Sequence, residues 1–593
     1  MPTPPPIPSG NWRGHVARAL FGAGIIASWF LSHRPTRHAT DTVLVFREQA
    51  VDLGAAFTHE PCKVDPRLAP IHPQIVGTGA SIAACDFDGD GWLDLYTTTM
   101  RDGAPNALFR NTGAGKFEDV AADLGLADLN VEGEGVSHGS VWCDVDRDGD
   151  QDVFIYGWGR SRLMLQGSDG RFEDHTAVAG LDHWMNCATA AWLDYDRDGW
   201  LDLFLGGYYH ESTNLWALEH TRVLHEDGEF AHNGGRNFLF RNVQGQRFED
   251  VSDAIGIGGD RWTYGVGAAD FDRDGWVDLY VANDYGVEEL LLNQGGERFV
   301  SVTDLGLDAK SKSGMCVSFG DVTGKGQLCV FVTNITEQGW LFQGNNLRMS
   351  LLPERRRLVN LSLGGHGAQD CGWAWGADFG DLDNDGDQDL IVVNGFHSAD
   401  PDRSYWYSMD KIGGATGTLL ANADDWPAFD GRSLSGYQRT HVLLNARDGR
   451  QMTDAAEAVG IDDRYDGRAA ITADLFNDGT LDVVVANQAG PLLIYRNERR
   501  PAADWLGLHL VGRESNPDAV GAHVLVEYGE WRQIHVVTAG IGFCSQTDPR
   551  VHVGLGDTTL HRVEITWPSG QVQVLAGEAL VPGRYHRIDE PIR

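Results

Sequence analysis

The chain has 593 residues, with 85 Asp and Glu against 47 Lys and Arg, and a formal charge of −38. That acid excess excludes a general affinity for nucleic acid or anionic membrane, both of which need a basic footprint. A content of 42% hydrophobic and 10% aromatic residues excludes a disordered chain. In chain order, residues 1–40 come first and differ from all that follows. A proline-rich start, Arg13 and Arg18 precede the apolar run Ala19–Ser32, with no acid before Asp41. This pattern predicts a signal peptide or short signal anchor, since 14 apolar residues fall short of the ~20 of a spanning helix. Membrane contact is expected only through this segment, if it is not cleaved.

From there an acidic nonapeptide recurs. Full copies start at Asp86 (DFDGDGWLD), Asp144 (DVDRDGDQD), Asp194 (DYDRDGWLD), Asp270 (DFDRDGWVD) and Asp381 (DLDNDGDQD), with weaker copies at Asp321 (DVTGKGQLC) and Asp474 (DLFNDGTLD). The seven starts are separated by 58, 50, 76, 51, 60 and 93 residues, a propeller-blade period with insertions. A run of small residues precedes each loop and an apolar run follows it; then come pieces such as ALFRN at 107–111 and FEDV at Phe117. Four short strands per repeat predict one blade each. The expected fold is therefore all-β: a seven-bladed propeller over 41–500, a small β-domain over 501–593 and the short hydrophobic N-terminal segment. FREQAVDLG at Phe46 matches FEDVAADLG at Phe117 but follows no loop. It is expected to pair with the strand around Tyr495 and close the ring, which removes two open sheet edges.

Carboxylates at loop positions 1, 3, 5 and 9 can converge on one hard cation, with glycine at 6 for the turn. An all-oxygen, highly charged set suits Ca²⁺ better than zinc or copper. The nominated ligands are Asp86, Asp88, Asp90 and Asp94; Asp144, Asp146, Asp148 and Asp152; Asp194, Asp196, Asp198 and Asp202; Asp270, Asp272, Asp274 and Asp278; Asp381, Asp383, Asp385 and Asp389. These make five Ca²⁺ sites, and Asp474, Asp478 and Asp482 a weaker sixth. At Asp321 the lost acids predict a metal-free loop with the Lys325 ammonium standing in for the cation. Position 12 is Thr97, Ile155, Leu205, Val281 and Val392 in the full copies, so the bidentate Glu of an EF-hand is missing.

The loops and LFRN/FEDV strands resemble the FG-GAP/VCBS repeats of integrin α-subunit propellers and, with NDYG at 283–286 and NGF at 394–396, most resemble the cartilage acidic protein 1 family. NPDAVGAHV, GFCSQTDPRVHVGLGD and VEITWPSGQ resemble an ASPIC/UnbV domain. The resemblance implies an extracytoplasmic calcium-binding propeller without established catalytic residues.

Two insertions are expected to interrupt the ring, at 345–365 and 396–440. Tyr405, Trp406, Tyr407 and Trp426 in the second are candidates for stacking on a sugar or on a partner's apolar surface, with packing against a neighbouring blade or the C-terminal domain as the rival reading. GxSxG, HExxH and Walker motifs are absent, so no catalytic residue and no organic cofactor are nominated. The eight cysteines, none in CxxC spacing, read as buried free thiols. The expected function is a secreted or envelope-anchored calcium-binding protein whose loops bind a protein or glycan. A calcium-dependent enzyme acting on a glycan or secondary metabolite at the axis, and an architectural member of a surface complex, are the alternatives.

Overall fold

A computed structural model describes residues 44–592 apart from 303–304, 308–311, 364–365, 447–448 and 500–503. The expected signal segment over 1–40 lies outside the described residues. Each acidic loop is the turn between two buried strands, as in Ile82–Cys85 and Asp94–Thr97, which pair antiparallel with Cys85 opposite Asp94. Ala107–Asn111 and Phe117–Asp119 extend the same sheet outward. Repetition of this meander gives seven four-stranded antiparallel units among the described residues. The second and third are joined into one larger sheet through Trp184–Asn186 and Trp158–Arg160.

The first strands of the seven units touch in cyclic order, the last, Gly467–Ala473, returning to the first, Ile82–Cys85. Crowding at the axis explains their small side chains: a Cβ on Gly376 would lie 2.3 Å from the carbonyl oxygen of Arg468 in the next unit. Between units the contact is apolar, as where Cys85 and Tyr96 meet Trp142 and Val153. Phe46–Glu48 pairs with the strand at Leu492–Asn497, Phe46 facing Asn497 and Glu48 facing Tyr495, so the two ends of the ring close in one sheet as the sequence predicted.

The 345–365 stretch corrects the sequence reading. It is not an insertion: Asn346–Ser350 and Leu358–Asn360 are the outer strands of the fifth unit. They were disguised because Ser350 occupies the place of the asparagine that ends LFRN elsewhere. The 396–440 segment is a true insertion, between the second and third strands of the sixth unit.

All second-to-third strand connections leave the ring on the face opposite the acidic loops. There the insertions pack on one another: Leu224 N–H donates to Ala421 O at 3.0 Å, and Phe429 N–H to Pro70 O at 2.8 Å. On the loop face sits the C-terminal region, a three-stranded and a four-stranded sheet around a shared core that includes Leu506, Val524, Val553 and Trp567. Its segment 539–547 runs down the axis. Ala539 bridges Trp192, Gly542 bridges Val317, and Ser545–Gln546 adds a parallel strand to Ile82–Ala83. Phe543, fully buried, meets the rings of Trp375, Tyr264 and His138 with centroids 5.0, 5.6 and 6.3 Å away. All eight cysteines are free and buried.

Candidate metal centres

The loop geometry follows from its own hydrogen bonds. In all seven copies the N–H at position 6 donates to the position-1 carboxylate, at 2.7–3.1 Å. That closure needs a left-handed residue at position 6, always glycine, with φ from +72° at Gly326 to +100° at Gly149. The position-9 aspartates are anchors. Asp94, Asp152, Asp202, Asp278 and Asp389 each accept from the position-2 N–H at 2.9–3.2 Å and from a third-strand N–H at 2.7–2.9 Å.

Five groups of carboxylates place ligand oxygens within 4.8 Å of one another: Asp86, Asp88 and Asp90; Asp144, Asp146 and Asp152; Asp194, Asp196 and Asp202; Asp270, Asp272 and Asp278; Asp381, Asp383 and Asp385. Of the nominated residues, Asp148, Asp198 and Asp274 at position 5, and Asp94 and Asp389 at position 9, lie outside these tight groups. Burial first, then mutual repulsion, drives the carboxyls toward their neutral forms. Asp94 and Asp152 are pushed up to about 8, Asp144 and Asp194 to about 7, and Asp270 to about 6. Asp381 and Asp389 move strongly in the same direction for the same reasons. Asp86 Oδ1 and Asp196 Oδ1 are buried without a hydrogen-bond partner among the described residues. Orphaned buried carboxylate oxygens in an all-oxygen set fit a hard divalent cation.

The two weaker loops diverge. Asp321 is the only carboxylate left in its loop, and its oxygens accept from Thr323 N–H and Oγ1–H and from the N–H groups of Gly324, Gly326 and Gln327. Lys325 points to solvent, which corrects the expectation that its ammonium replaces the cation: backbone dipoles and one hydroxyl do so. Asp474, Asp478 and Asp482 form no tight group. Arg496 lies over Phe476 at 4.1 Å and pairs with Asp478 at 3.7 Å, while Arg550 donates to Asp474 O.

Two devices link the loops around the ring, and neither was read from the sequence. Position 4 is left-handed in every loop, including Arg147, Arg197, Arg273, Asn384 and Asn477. Its side chain reaches the position-6 carbonyl of the next loop: Arg147 to Gly199 at 2.7 Å, Arg273 to Gly326 at 2.6 Å, Asn384 to Gly479 at 2.6 Å and Asn477 to Gly91 at 2.9 Å. Arg147 and Arg197 also lie over Trp200 and Trp276 of the following loops, 5.4 and 5.1 Å from the ring centroids. The second device is the asparagine that ends the third strand. Asn111, Asn242, Asn293, Asn445 and Asn497 each donate to a carbonyl beside their own loop and to the position-2 carbonyl of the preceding loop, the latter at 2.8–2.9 Å. The recurring RN or LN was the available signal for this latch, but a repeat does not say which neighbour its polar group meets.

The C-terminal region covers these loops. Asp518 accepts from Asp144 N–H at 2.9 Å and from Gln151 at 2.7 Å. His552 meets Asn384 at 2.8 Å, and Arg550 pairs with Asp548 and donates to Asn477. A cavity of about 200 Å³ lies between Asp194 and Asp270 on one side and His523 and Trp567 on the other. Asp548 and His552 are thus held in this contact between the C-terminal region and the loops, and His138 bonds Thr78 and Cys544.

Of the four candidate partner-binding aromatics, three are interior. Tyr405 stacks on Phe429 at 3.9 Å, Trp406 donates to Ser435 and Trp426 to Leu420 O, and all three are buried. Their polar tips are satisfied inside the insertion, while the ring of Trp406 packs on Trp340 and Trp373 and that of Trp426 on His225, so the insertion is seated on neighbouring elements. Tyr407 alone is exposed.

Comparison with known proteins agrees with this architecture. FG-GAP-like repeats match residues 86–155, 144–205, 230–281 and 270–332, and the ASPIC and UnbV family matches 512–592. Cartilage acidic protein 1 of Xenopus tropicalis is 22% identical over 531 residues, covering 86% of this chain. The chain spans 64% of that protein's length. The Homo sapiens protein of the same name is 29% identical over 120 residues, 19% of this chain and 18% of its own. Among solved structures, an Agrocybe aegerita lectin specific for non-reducing terminal N-acetylglucosamine has a TM-score of 0.37 at 15% identity, covering 63% of this chain and 79% of its own. BBS1N in complex with ARL6DN has a TM-score of 0.36 at 9% identity, covering 72% and 95%. The chain carries FG-GAP-like repeats and a C-terminal ASPIC and UnbV domain and is similar to Cartilage acidic protein 1.

Proposed function

We propose that this protein is an extracytoplasmic calcium-binding propeller whose loops bind a protein or glycan partner. The observation that carries the reading is the set of five aspartate groups with ligand oxygens within 4.8 Å. Bound Ca²⁺ would offset their repulsion and rigidify the loops on which the C-terminal region rests. That region and the calcium loops form the base of the molecule; the opposite face, built from the insertions, is the one left to a partner. Loops on a rigid scaffold are where binding surfaces concentrate. A location outside the cytoplasm fits the calcium requirement, because exposed extracellular modules bind in the ~10⁻⁴–10⁻³ M range. No helix among the described residues is long and apolar enough to cross a membrane. The enzymatic alternative at the axis is less favoured, since Phe543 and its neighbours fill the axis on the loop side.

Calcium titration with EDTA tests the reading. The chelated protein should unfold at a markedly lower temperature, by linkage, and Asp194→Ala or Asp270→Ala should each remove about one bound ion. An unfolding temperature indifferent to EDTA would refute it.

A further inference from the structure

On the face away from the aspartate loops, a cavity of about 590 Å³ opens between the 61–77 segment, the start of the 396–440 insertion, the 462–466 turn and the turn at Gln488. Its volume lies within the ~300–1,000 Å³ of small-molecule sites. Tyr437 and Tyr465 line it, 42% and 46% exposed. Tyr437 is held rather than free. Its backbone is left-handed at φ +58°, its N–H donates to Ser398 Oγ at 2.8 Å, and its hydroxyl donates to Ala399 O. A strained residue fixed by its surroundings is the signature of a pre-set contact surface.

Three aspartates, Asp462, Asp463 and Asp466, line the wall against one guanidinium, Arg464, with His72 and His397 beside them, and Asp462 stands exposed at the rim. Asp466, nearly buried, grips Ser398 through both oxygens, at 2.7 and 2.8 Å, and so sets the Tyr437 support. Gln488 is only 8% exposed; its Nε2 donates to Val76 O at 2.9 Å, while its Oε1 has no donor among the described residues.

Half-exposed aromatic rings suit the C–H faces of a sugar, and the exposed carboxylate of Asp462 suits its hydroxyls. An acidic wall disfavours uronic or phosphorylated groups. We propose that this cavity is a saccharide site taking two or three rings of a neutral or amino-bearing glycan. The proposal rests on the partner-binding reading above and gives it a ligand class and a place.

The test uses the full chain with calcium, titrated calorimetrically with maltotriose, cellotriose, N-acetylchitotriose, the glucosamine trimer and trigalacturonate. Binding is expected for at least one of the first four and not for the last. Tyr465→Ala should weaken it about tenfold or more, and Asp462→Asn should weaken it to a lesser degree; both residues are exposed, so neither variant should shift the unfolding temperature. Absence of binding to the four probes, a preference for trigalacturonate, or affinity unchanged in Tyr465→Ala would overturn the site. A protein partner bound equally by wild type and Tyr465→Ala, with no saccharide bound, would overturn the site while leaving the broader binding reading intact.

Discussion

The asparagine latch gives the sharpest stability prediction. Asn242 is buried in the third unit; its Nδ2 donates to Val145 O of the preceding unit at 2.9 Å and to Leu201 O at 3.1 Å, and its Oδ1 accepts from Gly245 N–H at 2.8 Å. Asn242→Ala breaks all three bonds and leaves their partners dry. At ~1 kcal/mol per bond the cost is about 3 kcal/mol. Ser350, at the equivalent place in the fifth unit, makes a single bond to the preceding unit, to Phe271 O at 3.2 Å, so Ser350→Ala should cost about 1 kcal/mol. Asn242→Asp keeps the shape but removes both donors and places a carboxylate beside two carbonyls and near Asp202, whose Oδ1 already accepts from Asn242 N–H; it should be worse than alanine. Guanidinium unfolding in saturating calcium would measure this, with midpoints compared at equal slope. If Asn242→Ala costs less than about 1 kcal/mol, the latch is not what joins the units.

Phe543→Ala should empty part of the axis at a cost of about 3–5 kcal/mol and expose the C-terminal region to limited proteolysis; an unchanged cleavage pattern would show that the axial segment does not hold that region in place. Arg147→Ala removes bonds to Gly199 O, Arg513 O and Ser515 O and the contact with Trp200, for about 2 kcal/mol in denaturant melts. Arg147→Lys should not restore the loss, because a compact ammonium lacks the planar fork that sets one nitrogen on Gly199 O and another on Arg513 O and Ser515 O; full rescue would count against the loop-to-loop role. The pH response should depend on calcium. Asp94 and Asp152, raised to about 8, and Asp144 and Asp194, raised to about 7, keep protons that the unfolded chain has released by about pH 4. The folded state therefore binds more protons between about pH 4 and 8, and the metal-free protein should lose stability as pH rises through that window and level off above it. With calcium bound these protons are already gone and the slope should vanish; a melting temperature equally flat without metal would contradict the burial of these acids.

Much of this molecule was written locally. The alternation of aspartates, the glycine at position 6 and the strand-like flanks act over a few residues, so the loops, the repeat and the closing strand at Phe46 could be read from order alone. The five acidic clusters follow from the same short-range pattern, but residue order could not say which aspartates converge: Asp148, Asp198 and Asp274 at position 5 and Asp94 and Asp389 at position 9 fall outside the tight groups. What residue order left open was which groups meet across units. Ser350 hid a strand pair because one substituted side chain erased a motif without changing the sheet. Three aromatics of the 396–440 insertion looked like a surface, yet their polar tips bond within the insertion and the rings of Trp406 and Trp426 pack on Trp340, Trp373 and His225 outside it. The seating of Phe543 on the axis, the position-4 reach from loop to loop and the cavity at Tyr437 and Tyr465 join residues up to several hundred positions apart. Such contacts are decided by how the sheets curve into a ring, which depends on the sum of packing over the whole chain and not on any segment of it.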